Sequence, residues 1–251
     1  MSTQSVVTAI RVLEFVSEHQ PVGLSEIART LEGSKATVLR MLTTLEDLRW
    51  LQRNAAAAWS LTPHAYAVAA RGGAAPSLRD VALGPMSALQ LETTETVHLA
   101  VPDGDHLILA ERVDTSHALR AFLAHGSRIP FHASATGLAF LAVAGEDVLE
   151  RCLAAPLDAV TDHTRTDAAE LRAEVVTIRE RGYSVNEEGL SSGITSLGSG
   201  IIGPGGEAIA AISVSGPTSR VRAEFYATYG AAVQRTAAEI SRTLRVASAG
   251  R

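Results

Sequence analysis

Cysteine is almost missing from this 251-residue chain, Cys152 being the only one. No internal disulfide can form, which fits a reducing compartment. Cys152 lies in an apolar helical stretch, where packing rather than redox chemistry is the expected role. Long apolar runs are missing too. The longest, near residues 135–145, reaches about half of the ~20 residues that a membrane span needs. The leading MSTQSVVTAIRVLEF has neither a basic segment nor a cleavage site, so a cytoplasmic location is expected, with no membrane partner. Lysine occurs once, at Lys35, and the net charge is −5. That balance excludes a protein that coats nucleic acid by bulk charge. No G-x-x-x-x-G-K-[ST] loop occurs, so no nucleotide cradle of that kind is expected. His125, His132 and His163 lack ligand-like spacing, and neither a metal nor a cofactor is expected.

What is present begins with residues 23–50, GLSEIARTLEGSKATVLRMLTTLEDLRW. Two helices meet there across a short corner at Glu32-Gly33. Ser25 reads as the N-cap of the first and Ser34 as that of the second. Ile27, Ala28 and Leu31 form one apolar stripe, and Val38, Met41, Leu42, Leu45 and Leu48 the other. The opposite face of the second helix carries Lys35, Ala36, Thr37, Arg40 and Thr44. It is slim at its tip, hydroxylated and basic, as a helix entering a major groove must be. Arg40 can fork onto guanine, Thr37 can bond a base, and Ser34 and Lys35 stand where phosphates would lie. The first 62 residues hold six basic and six acidic side chains. DNA binding would therefore rest on this local patch, duplicated in an oligomer.

A helix over residues 5–19, with Val6, Ala9, Ile10, Leu13 and Val16 inward, precedes the corner. After Trp50 the period turns to alternation around residues 54–58, which predicts a β-hairpin wing with Arg53 at its entrance. Thr62-Pro63 opens a linker helix that runs to Gly72-Gly73, and a Gly/Ala/Pro break follows. The predicted domains are residues 1–62, a linker over 63–76, and residues 77–251. Ser77 is expected to cap a helix bent at Pro85. VHLAV and HLILAERV flank a PDGD hairpin turn. A strand is predicted over residues 118–124, and helices over 134–144 and 146–154. A Thr164/Asp167 capping box should start a helix that ends at Gly182. Strands over 183–187, 194–202 and 208–214 precede a final helix from about Ser219 to Leu244.

This order of elements resembles the isocitrate lyase regulator (IclR) family of bacterial transcription factors. The resemblance covers nearly the whole chain. It is carried by SVVTAIRVLEFV and by GLSEIARTLEGSKATVLRMLTTLEDLRWLQR in the first part. In the second it rests on IPFHASATGLAFLA and on RGYSVNEEG…GITSLGSGIIGPGGEAIAAISVSGPTSR. It implies an α+β protein: a winged helix-turn-helix domain, a linker helix, and a GAF-like α/β domain with an antiparallel sheet that binds an effector. It also implies homodimers that pair into tetramers. Their grip on double-stranded operator DNA, with repression the expected mode, would change when a small organic acid binds.

In the second domain, the helix start near Ser134 offers free N–H groups and a positive dipole end to an anion. Ser213 and Ser215 share a strand face. Together these could hold a carboxylate without Arg or Lys, although both features also fit ordinary local hydrogen bonding. The resemblance places the effector at Ile129, Ala135, Thr136, Gly137, Asn186, Ser196, Ser213 and Ser215, with Ile194 nearby. Asn186 stands where an acidic residue is common and Ser196 where a cysteine is common. Both substitutions keep hydrogen bonding and lose an ionisable group.

Two other readings compete. Gly189-Leu190-Ser191-Ser192-Gly193 matches G-x-S-x-G, which would make Ser191 the nucleophile of a serine hydrolase. That elbow requires a helix straight after the serine, and residues 194–202 read as a strand, so no catalytic residue is expected. Alternatively the protein binds DNA constitutively, with no effector.

Overall fold

Ser34 sets the frame of the first unit. The computed structural model describes residues 3–70 and 78–249, and the chain divides into two compact units, Met1–Ala74 and Ala75–Arg251. In the first, α1 (Gln4–His19) is followed by β1 (Val22–Gly23), α2 (Leu24–Thr30) and α3 (Lys35–Asp47). Ser34 Oγ accepts from Thr37 N at 3.1 Å and fixes the start of α3. Ser25 does not cap α2. The strand residue Gly23 is the N-cap, Leu24 is already helical, and no side chain caps that end.

Of the predicted α1 stripe, Val16 is buried and Ala9 and Leu13 pack against the core, joined by Val12 and Phe15, whereas Val6 is 58% and Ile10 47% exposed. Phe15 also stacks on His19. On α3, Val38, Met41, Leu42 and Leu45 are buried as predicted, but Leu48 is 58% exposed. Leu48 is already the C-cap, and Arg49 beyond it has φ +64°, so the helical period no longer governs where that side chain points. β2 (Leu51–Arg53) and β3 (Ala58–Leu61) form the predicted hairpin, and β1 adds a third strand, in the order β1-β3-β2. The turn signal is Asn54. Its Oδ1 accepts from Ala56 N and Ala58 N, both at 3.0 Å, an Asx turn. Trp59, 1% exposed, closes the core beneath. α4 (Pro63–Ala70) follows. The expected Gly/Ala/Pro break and the Ser77 cap lie outside the described residues.

The second unit is a six-stranded sheet, ordered β6-β5-β4-β9-β8-β7 and antiparallel throughout. In chain order it comprises α5 (Leu78–Thr93), β4 (Thr96–Asp103), β5 (His106–Val113), β6 (Arg128–Pro130), α6 (Ala135–Val143), α7 (Glu146–Ala154), α8 (Ala168–Arg181), β7 (Ser184–Glu187), β8 (Ile194–Ile202), β9 (Ala208–Pro217) and α9 (Tyr226–Ala249). Side chains alternate between its faces. Val97, Leu99, Ala210, Ile212 and Val214 pack against α5 and α9. Ala100 and Ala211 pack on the other side with Ala139, Phe140 and Leu141 of α6. Along this second face the sheet then turns polar: His98, Ser213 and Ser215 have the same parity as Ala100 and Ala211.

Residues 118–124 are not a strand. Pairing with β5 starts only at Gly126, at φ +83°, whose N–H donates to Leu109 O while Leu109 N donates to Ser127 O. Before it, the carbonyls of Leu119 and Leu123 accept from the guanidinium groups of Arg220 and Arg112 instead of from a neighbouring strand. Arg220 also holds the buried Glu95 through two bonds, at 2.5 and 2.7 Å. The helix predicted from Ser219 starts as a short 3-10 turn at Ala223–Phe225 and becomes α9 at Tyr226. Thr164 is not part of a capping box. Asp167 alone caps α8, accepting from Ala169 N and Glu170 N, while Thr164 donates to Gly189 O at 2.7 Å. Gly182 ends α8 at φ +87°, as predicted.

Candidate functional site

In the first unit, Lys35, Ala36, Arg40 and Thr44 lie exposed along α3, and Thr37 is half-buried. Lys35 and Arg40 have no ion-pair partner among the described residues, which leaves both cations free for an external anion. Thr44 is less available, because its hydroxyl donates to Arg40 O at 2.8 Å. Ser25 is exposed in the first turn of α2. Leu39, 41% exposed, joins this surface unpredicted and could meet a thymine methyl. Arg53 is exposed on the wing, with its guanidinium 5.5 Å from the Trp59 ring centre. Part of its role is therefore to cover that tryptophan.

In the second unit, a cavity of about 280 Å³ opens between the polar stretch of the sheet and the start of α6. Ile129, Ala135, Thr136, Asn186, Ile194, Ser196, Ser213 and Ser215 all line it. Gly137, expected among them, does not. A Cβ at Gly137 would lie 2.3 Å from Phe131 O, so this glycine allows the segment before α6 to cross it closely. Gly198 has the same function beneath the helix start, since a Cβ there would meet Ala135 O at 2.6 Å. Ser184 ties down that carbonyl from the sheet at 2.7 Å.

Ser134 Oγ caps α6 by accepting from Gly137 N at 2.9 Å, and the Ser134 carbonyl accepts from Leu138 N. This leaves the N–H groups of Ala135 and Thr136, on the cavity wall, as the orphan donors of the first turn. Across from them Ser196 donates to Ser215 Oγ at 2.8 Å, and Ser213 lies 3.4 Å from the same oxygen. Asn186 Oδ1 accepts from Gly189 N at 3.1 Å, so its NH₂ is what it can offer a ligand.

The sequence reading missed the residues that give the cavity its electrostatics. His98 is 2% exposed, with Nδ1 3.2 Å from Ser215 Oγ. Burial, helped by the charge of Arg112, lowers its pKa to about 4, so the ring is neutral at physiological pH. Its signal was parity: Thr96, His98 and Ala100 share one face of β4. The expectation of a carboxylate site without Arg or Lys also needs correction. Among the described residues Arg120, exposed at the rim, is the only charged side chain lining the cavity. Ser191 lines it as well, but in a turn that leads straight into β8 and with no histidine bonded to it. The helix that a nucleophile elbow requires is absent there. The three histidines weighed as metal ligands have local neighbours: His125 meets Glu111 at 3.0 Å, His132 meets Asp158 O at 2.9 Å, and His163 lies 3.9 Å from Glu188.

Residues 5–55 match the IclR helix-turn-helix domain, and residues 75–242 match the bacterial transcriptional regulator IclR C-terminal domain. The chain is 30% identical over 243 residues to the transcriptional repressor IclR of Escherichia coli, covering 95% of this chain and 89% of that one. It is 33% identical over 239 residues to the transcriptional regulator BhcR of Paracoccus denitrificans, covering 93% and 84%. Among solved structures, the Thermotoga maritima IclR superposes with a TM-score of 0.80 at 26% identity, covering 96% of this chain and 99% of that one. An IclR homolog from Microbacterium hydrocarbonoxydans complexed with 4-hydroxybenzoate superposes with a TM-score of 0.86 at 28% identity, with the same coverage. These relatives are regulators, not enzymes. From helix-turn-helix to sheet domain, the chain belongs to the IclR family of bacterial DNA-binding transcriptional regulators.

Proposed function

We propose that this regulator is a repressor, acting in the cytoplasm as a homodimer that can pair into a tetramer, and that a small organic acid changes its grip on the operator. Ser34, Lys35, Ala36, Thr37, Arg40 and Thr44 read or anchor one half-site, with Ser25 and Arg53 at its flanks. Two copies of the patch are needed because residues 1–62 carry as many acidic as basic side chains, six of each. Paired half-sites one or more helical turns apart are the usual answer to a weak single contact. The curated E. coli relative is named a repressor.

The observation that carries the effector half is the charge of the cavity wall. Arg120 and the first turn of α6 favour an anion there, and among the described residues no acidic side chain lines the wall to oppose it. Ile129, Leu190 and Ile194 give the ligand an apolar bed. A relative of this fold has been seen with an aromatic acid, 4-hydroxybenzoate.

Footprinting on genomic fragments selected by the protein tests the DNA half. Arg40→Ala should weaken specific binding by roughly 10- to 100-fold, in line with the loss of one bidentate base contact, and an unchanged footprint refutes the assignment. Unfolding midpoints measured across a panel of small organic acids test the effector half, because a ligand that binds only the folded state raises them. A flat response across the panel would favour a constitutive regulator.

A further inference from the structure

Val38, Met41, Leu42 and Leu45 bury one side of α3. At about 100° per residue, the line directly opposite runs through Ala36, Arg40 and Thr43, all exposed, with the exposed Leu39 beside it between Ala36 and Thr43. Asp47, the next residue on that line, is acidic and exposed. Only the part of the line before Asp47 therefore suits close approach to the negatively charged duplex.

This strip presents a more apolar surface than its sequence suggests. Thr43 Oγ1 donates to Leu39 O at 2.5 Å, and Thr44 Oγ1 donates to Arg40 O at 2.8 Å. Both protons are committed to the helix backbone, and the methyl is what Thr43 has left to offer. Thr37 differs, because its Oγ1 accepts from Ser34 Oγ at 2.9 Å and its own proton stays available. Leu39 is 41% exposed. A single exposed leucine is ordinary. Here, however, Ala36, Leu39 and Thr43 align their methyl groups over about two turns, alongside Arg40. In a major groove the apolar group that can cover such a strip is the C5 methyl of thymine.

We infer that Leu39 and Thr43 read thymine: each operator half-site carries at least one thymine whose methyl packs against these two side chains, within about two base pairs of the guanine that Arg40 takes. This rests on the reading of α3 as the recognition helix. Spacing sets the range. Leu39 and Thr43 lie one turn apart, about 6 Å along the axis, and base pairs follow one another at ~3.4 Å. Cytosine in the thymine's place would turn an amino group towards a leucine that cannot bond it. The half-site is thus specified by a methyl beside a guanine, and not by the guanine alone.

The test uses an operator fragment selected by the protein, with each thymine replaced in turn by deoxyuridine at matching positions of both half-sites. That change deletes the methyl and leaves the base pairing intact. Fluorescence anisotropy measures binding of the full chain. At one or two positions the loss should be about fourfold per methyl, roughly 15-fold for the matched pair, as expected for methyl groups left in water. Leu39→Ala should bring that penalty within about twofold, since the group that met the methyl is gone. Thr43→Ser keeps the hydroxyl that bonds Leu39 O and should also reduce the penalty. Both side chains are exposed, so neither variant disturbs the core. Equal binding of every deoxyuridine operator overturns the inference. A penalty unchanged in both variants also overturns it, because the effect would then belong to DNA shape. Both results leave α3 in the groove provided that Arg40→Ala still weakens specific binding. Binding that is unaffected by Arg40→Ala removes α3 as the recognition helix and this inference with it.

Discussion

His98 enters the folded state without its proton, and this has a measurable consequence. Burial takes its pKa from an ordinary 6.5 to about 4. Between those values the unfolded chain binds a proton that the native chain refuses. Stability is therefore complete above pH 6.5 and is lost as pH falls towards 4. The difference of 2.5 units (6.5 − 4), at ~1.4 kcal/mol per unit, amounts to about 3 kcal/mol over the window and roughly 2 kcal/mol between pH 7 and pH 5. His98→Leu removes the titrating ring and this part of the slope with it. Urea unfolding at pH 7, 6 and 5, followed by far-UV circular dichroism, measures the two slopes. Trp50 and Trp59 both lie in the first unit, so their fluorescence reports that unit separately and should not respond to the variant. The expected result is a wild-type curve falling more steeply than that of His98→Leu by about 2 kcal/mol between pH 7 and 5. Parallel curves would refute the claim that the ring is buried and neutral.

Gly198→Ala puts a Cβ 2.6 Å from Ala135 O and 3.0 Å from Ser184 Oγ. It should cost about 1–3 kcal/mol as an overpacked contact, and the amide resonances of the first turn of α6 should shift before those of α9 do. Asp167→Ala deletes the two cap bonds of α8 and should lower unfolding free energy by ~1 kcal/mol, with no change in DNA binding. Cys152 is half-buried, and burial pushes its thiol up to about 11. Iodoacetamide at pH 8 should therefore alkylate the native protein far more slowly than the urea-unfolded one, and equal rates would contradict the packing.

The helix-turn-helix was legible because local chemistry decides it. A serine cap and the run Val38, Met41, Leu42, Leu45 require no distant partner. β1 was not legible, since two residues pair only because β3 happens to lie beside them, and that pairing made Gly23 rather than Ser25 the cap of α2. In the second unit the helix start near Ser134 and the shared face of Ser213 and Ser215 followed from spacing. His98 did not. Alternation separates inside from outside only when one face of a sheet meets water. Here helices cover both faces, so a polar residue in β4 is buried whichever way it points. Arg120 and residues 118–124 were beyond local rules for another reason. Their path is set by Arg112 and Arg220, the latter about a hundred residues away in the chain. The positions drawn from the family resemblance reached the cavity wall in every case but Gly137, whose contact is with backbone behind it.

The two strands at the rims of the large sheet are its shortest, Arg128–Pro130 and Ser184–Glu187. One ends in a residue with no N–H to give, and each carries an exposed charge, Arg128 or Glu187. Such rims offer another copy little open backbone to zip onto. Copies that met at this sheet would therefore have to do so through side-chain surfaces, where complementarity chooses the partner, and strand-to-strand stacking along its rims is disfavoured by the same few residues.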